Sequence, residues 1–220
     1  MAETPKHLSL TPALHDYLVA HGTPPDEVQR ALIEATAALG PIARMQIAPE
    51  QGAFMSWLAR AIGAVRVVEV GTFTGYSTLC LARGVPEHGR VLALDVSTEW
   101  TAIGRRHWER AGVAHKIELR LGPAAESLRA LPREATFDLA FIDADKPGYA
   151  GYVDEILPRL RGGGVILVDN VLWGGSVIDA RRQDEDTRAI RAFNDAMARD
   201  PRVDAVMLPI SDGLTLLRKR

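Results

Sequence analysis

Two short apolar runs that end abruptly at polar side chains constrain the fold of this chain most strongly. Residues 137–145 read FDLAFIDAD, and residues 165–170 read VILVDN. Each run is too short for a free-standing helix and is typical of a buried strand in a parallel sheet. Open α/β sheets place their ligand sites beyond the carboxyl ends of such strands, so Asp143, Asp169 and Asn170 are expected to converge there. Three oxygen-bearing side chains suit a hard cation such as Mg²⁺.

Strand-like and helix-like segments alternate from residue 65 onward. The strands are predicted at Val65–Val70, Arg90–Leu94, Lys116–Arg120, Phe137–Ile142, Gly164–Val168, Val203–Leu208 and Leu214–Leu217. The helices between them are predicted at Tyr76–Arg83, Thr98–Ala111, Ala124–Ala130, Tyr149–Leu160 and Thr187–Arg199. This alternation predicts an α/β fold with a doubly wound, Rossmann-like sheet of seven strands, mostly parallel. The last two strands are too close for a helical crossover and should form an antiparallel hairpin.

The N-terminal part of the chain has a different pattern. Residues 1–63 are predicted to be helical, with segments at about 12–20, 26–39 and 50–62. Pro24-Pro25 and Gly40-Pro41 mark the start and the end of the second helix. We expect this segment to belong to the same domain as residues 64–220.

Composition excludes several classes of protein. The net charge is −2 and no basic block is present, which argues against a nucleic-acid partner. The single cysteine, Cys80, cannot form an intrachain disulfide and fits a reducing cytosol. No secretory leader pattern and no apolar stretch approaching the ~18 residues of a membrane span is found. We therefore expect a cytoplasmic protein with neither a nucleic-acid nor a membrane partner.

A glycine-containing motif after the first strand indicates a ribose-bearing ligand. Residues 69–77 read EVGTFTGYS, and Gly71 lets the chain turn tightly and lets a ligand approach the backbone. Asp95 ends the next strand 24 positions later, where an acid can accept both hydroxyls of a ribose. The third glycine of the dinucleotide motif is missing, and Glu69 would repel phosphate but could receive an ammonium group. The alternatives are that the glycines only form a turn and that Asp95 caps the next helix.

The segment after the fourth strand carries candidate catalytic residues. Asp145 stands two positions before Pro147, as a helix N-cap would, whereas Asp143 is the better candidate ligand. Lys146, three residues from Asp143, is a candidate general base or electrostatic clamp. Trp173 could form a wall of an aromatic pocket or lie in the core. None of the six histidines lies in these motifs, which argues against a zinc site.

Together these motifs carry a family resemblance. EVGTFTGYSTLCLA, LALD, FDLAFIDADK and GGGVILVDNVLWGG resemble the class I S-adenosylmethionine-dependent O-methyltransferases. More narrowly, they are similar to the divalent-cation-dependent group that contains the caffeoyl-CoA and catechol O-methyltransferases. The N-terminal helices resemble those of the shorter bacterial members. The resemblance implies an enzyme that methylates a hydroxyl of a catechol-type small molecule, such as a natural-product intermediate. It also implies a homodimer, with residues 1–63 as cap and dimer contact and residues 64–220 as the methyltransferase domain.

The resemblance further implies a role for individual residues. The cofactors would be S-adenosylmethionine and Mg²⁺, or another divalent cation such as Mn²⁺ or Ca²⁺. Contacts to S-adenosylmethionine are implied for Met45, Ile47, Glu69, Gly71, Thr72, Ser77, Asp95, Ala124, Asp143, Asp145 and Tyr152. The implied metal ligands are Asp143, Asp169 and Asn170. Asp143 and Lys146 would be catalytic, and Lys146 and Trp173 would contact the phenolic substrate.

Two departures from the plant enzymes bear on the acceptor. Gly174 stands where those enzymes carry an asparagine that helps hold the phenolic substrate, and their longer N-terminus is missing here. Both favour a small catechol over caffeoyl-CoA. A bound cation would lower the hydroxyl pKa from its usual value of about 10. Lys146 would then either take the proton or stabilise the oxyanion.

Rival functions from other classes are weaker. A dinucleotide-dependent oxidoreductase would need the missing third glycine. A protein that only binds the cofactor would not need the intact set of Asp143, Lys146, Asp169 and Asn170. A methyltransferase of RNA bases would be expected to carry a basic or aromatic surface signal.

Overall fold

A single sheet of seven strands organises residues 9–220, the part of the chain that the computed structural model describes. In chain order the strands are β1 (Arg66–Val70), β2 (Arg90–Asp95), β3 (Ile117–Leu121), β4 (Phe137–Ile142), β5 (Leu160–Asp169), β6 (Val203–Leu208) and β7 (Leu214–Lys219). Their spatial order is β3-β2-β1-β4-β5-β7-β6. Strands β1 to β5 are parallel, and β7 is antiparallel to both β5 and β6. The predicted fold class is therefore confirmed, including the antiparallel hairpin.

The described residues also form eight α-helices, of which α2 to α8 pack on the two faces of this sheet. They are α1 (Pro12–Ala20), α2 (Glu27–Ala37), α3 (Pro49–Ala61), α4 (Tyr76–Gly84), α5 (Thr98–Arg110), α6 (Ala124–Arg129), α7 (Tyr149–Ile156) and α8 (Glu185–Met197). Short 3₁₀ turns occupy Gly40–Met45, Ala114–Lys116, Lys146–Gly148, Leu157–Arg159 and Trp173–Ile178. Residues 1–8 of the predicted N-terminal segment lie outside the described residues.

The largest error in the predicted helix boundaries is at the end of α7, while the others differ by no more than two residues. The helix predicted over residues 149–160 ends at Ile156, and β5 begins at Leu160 instead of Gly164. Pro158 lacks the backbone N–H that would continue the helix, so the chain makes a 3₁₀ turn at Leu157–Arg159. The additional residues at the start of β5 belong to the sheet, since Leu160 pairs with Phe137 of β4.

The hydrophobic core lies in two layers, one on each face of the sheet. Neighbouring residues Val67 and Val68 of β1 point to opposite faces, as the two-residue period of a strand requires. Val67 packs in the layer formed by α2 to α5, where Leu32 and Met55 are fully buried. Val68 packs in the layer formed by α6 to α8. The N-terminal helices α2 and α3 thus share a core with the sheet.

Helix α1 differs from the other helices because none of its residues is buried. Its His15 Nε2 lies 3.0 Å from Glu50 Oε1 at the start of α3. Among the helices of residues 9–220, none is long and apolar enough to cross a membrane.

The loops that follow β1 and β4 are in direct contact at the carboxyl edge of the sheet. The Asp143 backbone N–H donates to the Val70 carbonyl oxygen at 2.8 Å. Gly71 has φ of +88°, and a Cβ there would lie 1.8 Å from the Asp143 carbonyl oxygen. Only glycine fits this left-handed turn and this close approach. The loops that carry Gly71, Thr72, Asp143, Asp145 and Lys146 are therefore held against each other by backbone packing.

Candidate active site

The Lys146 ammonium joins three segments of the chain beyond the ends of β4 and β5. Lys146 is buried in the 3₁₀ turn Lys146–Gly148. Its Nζ donates to Asp143 Oδ1 at 3.1 Å, to Tyr149 Oη at 2.6 Å and to Asn170 Oδ1 at 2.7 Å. Two of the three predicted metal ligands thus lie within hydrogen-bonding distance of one nitrogen atom.

The third predicted ligand, Asp169, lies beside them at the end of β5. Its side chain is buried, and its Oδ1 has no hydrogen-bond partner among residues 9–220. The Tyr149 hydroxyl donates to the Asp169 carbonyl oxygen at 3.0 Å, which fixes the backbone of this turn. Asn170 has φ of +57°, a left-handed conformation that asparagine tolerates better than most residues.

The electrostatics of this cluster favour a bound cation. Burial and the neighbouring Asp143 carboxylate raise the pKa of Asp169 to about 7. Burial also raises the pKa of Asp143, although the Lys146 ammonium opposes that effect. A divalent cation would relieve the repulsion between these two carboxylates.

The donor set fits a hard metal ion rather than a soft one. No group of three or more His, Cys, Asp or Glu side chains in the described part of the chain is placed to hold a metal. The Asn170 amide oxygen is therefore needed to complete a set of three with Asp143 and Asp169. Two carboxylates and an amide are ligands typical of Mg²⁺ or Ca²⁺, with water or substrate in the remaining positions.

Asp95, at the end of β2, fixes the turn that begins at Gly71 by accepting hydrogen bonds from its backbone. Its Oδ2 accepts from the Thr72 and Phe73 backbone N–H groups, both at 2.8 Å. Its Oδ1 accepts from the Ser97 N–H at 2.7 Å. The helix cap of α5 is the Ser97 hydroxyl, which accepts from Trp100 N–H, so the alternative of Asp95 as that cap is wrong. Asp95 thus positions the turn that the sequence assigns to the ribose-bearing ligand.

Glu69 is a fully buried acid at the end of β1. The hydroxyls of Thr72 and Thr78 both donate to its Oε2. Its Oε1 makes no hydrogen bond within the described residues. Burial raises the pKa of Glu69 to about 7, against the lowering effect of the hydroxyl donors. A buried oxygen without a donor suits a cationic ligand group such as an ammonium.

Asp145 does not have the local role that its position before a proline predicts. Its side chain makes no cap hydrogen bond to the following turn. Instead, the Tyr152 hydroxyl donates to Asp145 Oδ1 at 2.6 Å. Asp145 thus stands at the predicted N-cap position, but its side chain bonds to Tyr152 instead of capping the turn. Asp145 and Tyr152, which the resemblance assigns jointly to the cofactor, are in contact.

The remaining candidates for cofactor contact differ in exposure. Ser77 is buried in the first turn of α4, and Ala124 is half-buried at the start of α6. Met45 is 47% exposed at the end of a 3₁₀ turn, whereas Ile47 is 6% exposed and packs in the core layer with α2 to α5. The roles of these four residues toward a cofactor stay predictions.

Trp173 lies at the site rather than in the core. Its ring centroid is 5.4 Å from Lys146 Nζ, within cation–π distance, and its side chain is half-buried. Trp173 has φ of +48°, and the following Gly174 is also left-handed. Asp212 holds this turn, because its Oδ1 accepts from the Gly174 N–H at 2.6 Å and its carbonyl oxygen accepts from the Leu172 N–H at 2.9 Å.

Three residues at the site were not found from the sequence. Tyr149 lies three positions after Lys146, and that spacing alone could have indicated a contact. Asp212 lies between β6 and β7, where the sequence predicts only a hairpin. Gln51, on α3, lies beside Asp169, and no local pattern connects the two.

Comparison with known proteins places this geometry in a family. The O-methyltransferase family model matches residues 21–220. Tricin synthase 2 of Oryza sativa subsp. japonica is 41% identical over 99% of this chain and 78% of its own length. Caffeoyl-CoA O-methyltransferase 5 of Nicotiana tabacum is 39% identical over 97% of this chain and 94% of its own.

A solved structure shows the same fold. The O-methyltransferase from Bacillus cereus, crystallised with SAH, is 34% identical and superimposes with a TM-score of 0.85. The match covers 94% of this chain and 97% of that one. With the sheet order, the glycine turn and the acid-bearing strand ends described above, these matches show that the chain belongs to the S-adenosylmethionine-dependent O-methyltransferases of the caffeoyl-CoA type.

Proposed function

We propose that this enzyme moves the methyl group of S-adenosylmethionine to one hydroxyl of a catechol-type small molecule, with the help of a divalent cation. The observation that carries the proposal is the convergence of Asp143 and Asn170 on Lys146 Nζ, beside the partnerless carboxylate oxygen of Asp169. A bound Mg²⁺ would supply positive charge that lowers the pKa of a coordinated hydroxyl. Asp143, Asp169 and Asn170 would hold it.

The residues of the first half of the site would bind the methyl donor. Glu69 Oε1, which has no donor among the described residues, would accept from the ammonium group in the methionine part of S-adenosylmethionine. The turn after β1, held by Asp95, would receive the ribose. S-adenosylmethionine itself supplies the sulfonium-activated methyl group. The protein's contribution is to orient this group toward the acceptor oxygen and to exclude water.

The contacts of Lys146 favour the role of an electrostatic clamp over that of a general base. A charged lysine has three N–H donors, and Nζ has three oxygen acceptors, on Asp143, Tyr149 and Asn170. An ammonium held by these three acceptors would stabilise a substrate oxyanion next to the candidate metal ligands.

The surroundings of Trp173 support a small aromatic acceptor. The half-buried indole lies next to Lys146 and can stack on a phenolic ring. Gly174 and Gly175 follow it and have no side chain that could reach toward the acceptor. The name of the tobacco relative identifies caffeoyl-CoA as its methyl acceptor. The missing side chain at Gly174 leads us to propose a free catechol instead.

A methyl-transfer assay over a panel of catechols, monophenols and catechol CoA esters tests the proposal. Each acceptor is assayed with Mg²⁺ and, separately, in excess EDTA. Turnover should be highest with a free catechol, should disappear in EDTA and should return when Mg²⁺ is restored. Full activity in EDTA would refute the cation dependence, and equal activity on monophenols would refute the catechol requirement. The homodimer stays a prediction that a sedimentation experiment can test.

A further inference from the structure

Gln51 is a buried polar residue whose side chain makes no hydrogen bond within the described residues. It lies in the first turn of α3 and is 0% exposed. Within residues 9–220, neither its Nε2 nor its Oε1 makes a hydrogen bond. Burying an amide without partners destabilises a protein, so such a residue calls for a reason beyond packing.

The side chain of Gln51 lies beside the Asp169 carboxylate. Asp169 Oδ1 is also without a hydrogen-bond partner among the described residues. An amide N–H donor and a carboxylate acceptor are therefore neighbours in a site from which water is largely excluded, since Asp169 is only 2% exposed. The two groups are chemically complementary.

Close packing holds the backbone of α3 at this place. A Cβ at the neighbouring Gly52 would lie 2.7 Å from Cys80 Sγ and 2.8 Å from Tyr76 Cε1, so α3 and α4 approach as closely as glycine allows. One turn later, the Ser56 hydroxyl donates to the Cys80 carbonyl oxygen at 2.6 Å. Gln51 thus approaches Asp169 from a fixed helix, which is the kind of support that a positioning residue needs.

We propose that Gln51 is a positioning residue whose amide N–H donates to one oxygen of Asp169 and leaves the other oxygen directed at the cation. This inference rests on the cation dependence proposed above. Residues that hydrogen-bond to metal ligands fix the orientation of those ligands. Loss of such a residue typically weakens metal binding about 10- to 100-fold. The N-terminal helical segment would then contribute to the metal site as well as to the cover of the sheet.

The test replaces Gln51 with an apolar side chain of similar size and measures Mn²⁺ affinity and thermal stability separately. Mn²⁺ binding is followed by electron paramagnetic resonance on the whole protein, and the Tm is measured in EDTA. Gln51→Leu should bind Mn²⁺ about 10- to 100-fold more weakly than the unchanged protein. Its Tm should not fall below that of the unchanged protein, because the loss of the amide donor to Asp169 is offset by the removal of the buried Oε1, which has no donor among the described residues. Gln51→Met serves as the second variant if the leucine variant does not fold.

Ser56→Ala is the matched control on the same helix. It removes a structural hydrogen bond to α4, so its Tm should fall while its Mn²⁺ affinity stays unchanged. Mn²⁺ affinity within twofold of the unchanged protein in the Gln51 variant would overturn the inference, as would a parallel fall of affinity and Tm. If the unchanged protein itself binds no Mn²⁺, the proposed cation dependence fails, which is a different outcome from a failure of Gln51 alone.

Discussion

Glu69 makes the stability of the cofactor-free enzyme depend on pH in a way that one substitution should remove. Its carboxyl group is fully buried, and burial raises its pKa from 4.5 to about 7. The acid is therefore more easily protonated in the folded protein than in the unfolded chain. Glu69→Gln keeps the shape and retains an oxygen for the hydroxyls of Thr72 and Thr78, but it cannot ionise.

The sign and the size of the effect follow from linkage. Because the folded pKa is raised, the favourable contribution is fully present below pH 4.5 and is lost as the pH rises through about 7. The difference between the two pKa values corresponds to about 3 kcal/mol of unfolding free energy. The glutamine amide does not ionise, so the Glu69→Gln variant does not lose this unfolding free energy as the pH rises.

Urea unfolding between pH 4.5 and about 8.5, without S-adenosylmethionine, measures the difference. The free energy of unfolding of Glu69→Gln, relative to that of the unchanged protein, should rise by about 3 kcal/mol across this range. Glu34→Gln, at an exposed position of α2, should follow the unchanged protein at every pH. If the curves of the unchanged protein and of the Glu69→Gln variant run parallel, the argument from burial is refuted.

Three further substitutions test the other parts of the site. Lys146→Ala should lower kcat by a factor of about 10² to 10⁴ with S-adenosylmethionine affinity retained, and equal turnover would remove Lys146 from the mechanism. Tyr149→Phe removes one acceptor of the ammonium and should lower kcat about tenfold in steady-state kinetics, whereas an unchanged kcat would show that the Tyr149 contact is dispensable. Asp212→Ala should raise KM for the acceptor because the Gly174 N–H loses its partner, while Asp212→Asn, which keeps an acceptor oxygen, should not. If KM for the acceptor is the same in both variants, the hydrogen bond from Gly174 to Asp212 does not shape the acceptor site.

The sheet and the meeting of the candidate metal ligands could be predicted because their signals are local. Each strand is a short apolar run, and each candidate ligand stands directly after one. The rule that parallel strands present their carboxyl ends at one edge then brings Asp143 near Asp169 and Asn170 without any knowledge of the packing. The contact between Lys146 and both strand ends confirms that these segments meet.

The remaining features depend on contacts between distant parts of the chain. Gln51 meets Asp169 across more than half of the sequence through the packing of α3, and no periodicity encodes that contact. Asp212 holds the Trp173–Gly174 turn because β7 lies beside β5, an arrangement that becomes visible only with the strand order. Asp145 was interpreted as a cap because the proline is close in sequence, whereas the competing Tyr152 hydroxyl comes from the helix that follows.

The close approach of Gly71 to Asp143 also has a consequence for enzyme engineering. Because backbone atoms of both loops are in contact, the sheet fixes the distance between the glycine turn after β1 and the loop that carries Asp143, and side chains cannot tune it. Libraries aimed at a new acceptor should therefore leave this edge untouched. They should vary Ile178, which follows Trp173 in the chain and is 90% exposed, and keep Gly174 and Gly175, whose left-handed φ angles of +57° and +79° disfavour any side chain despite the open space around them. Regioselectivity could then be redesigned without disturbing the reaction geometry.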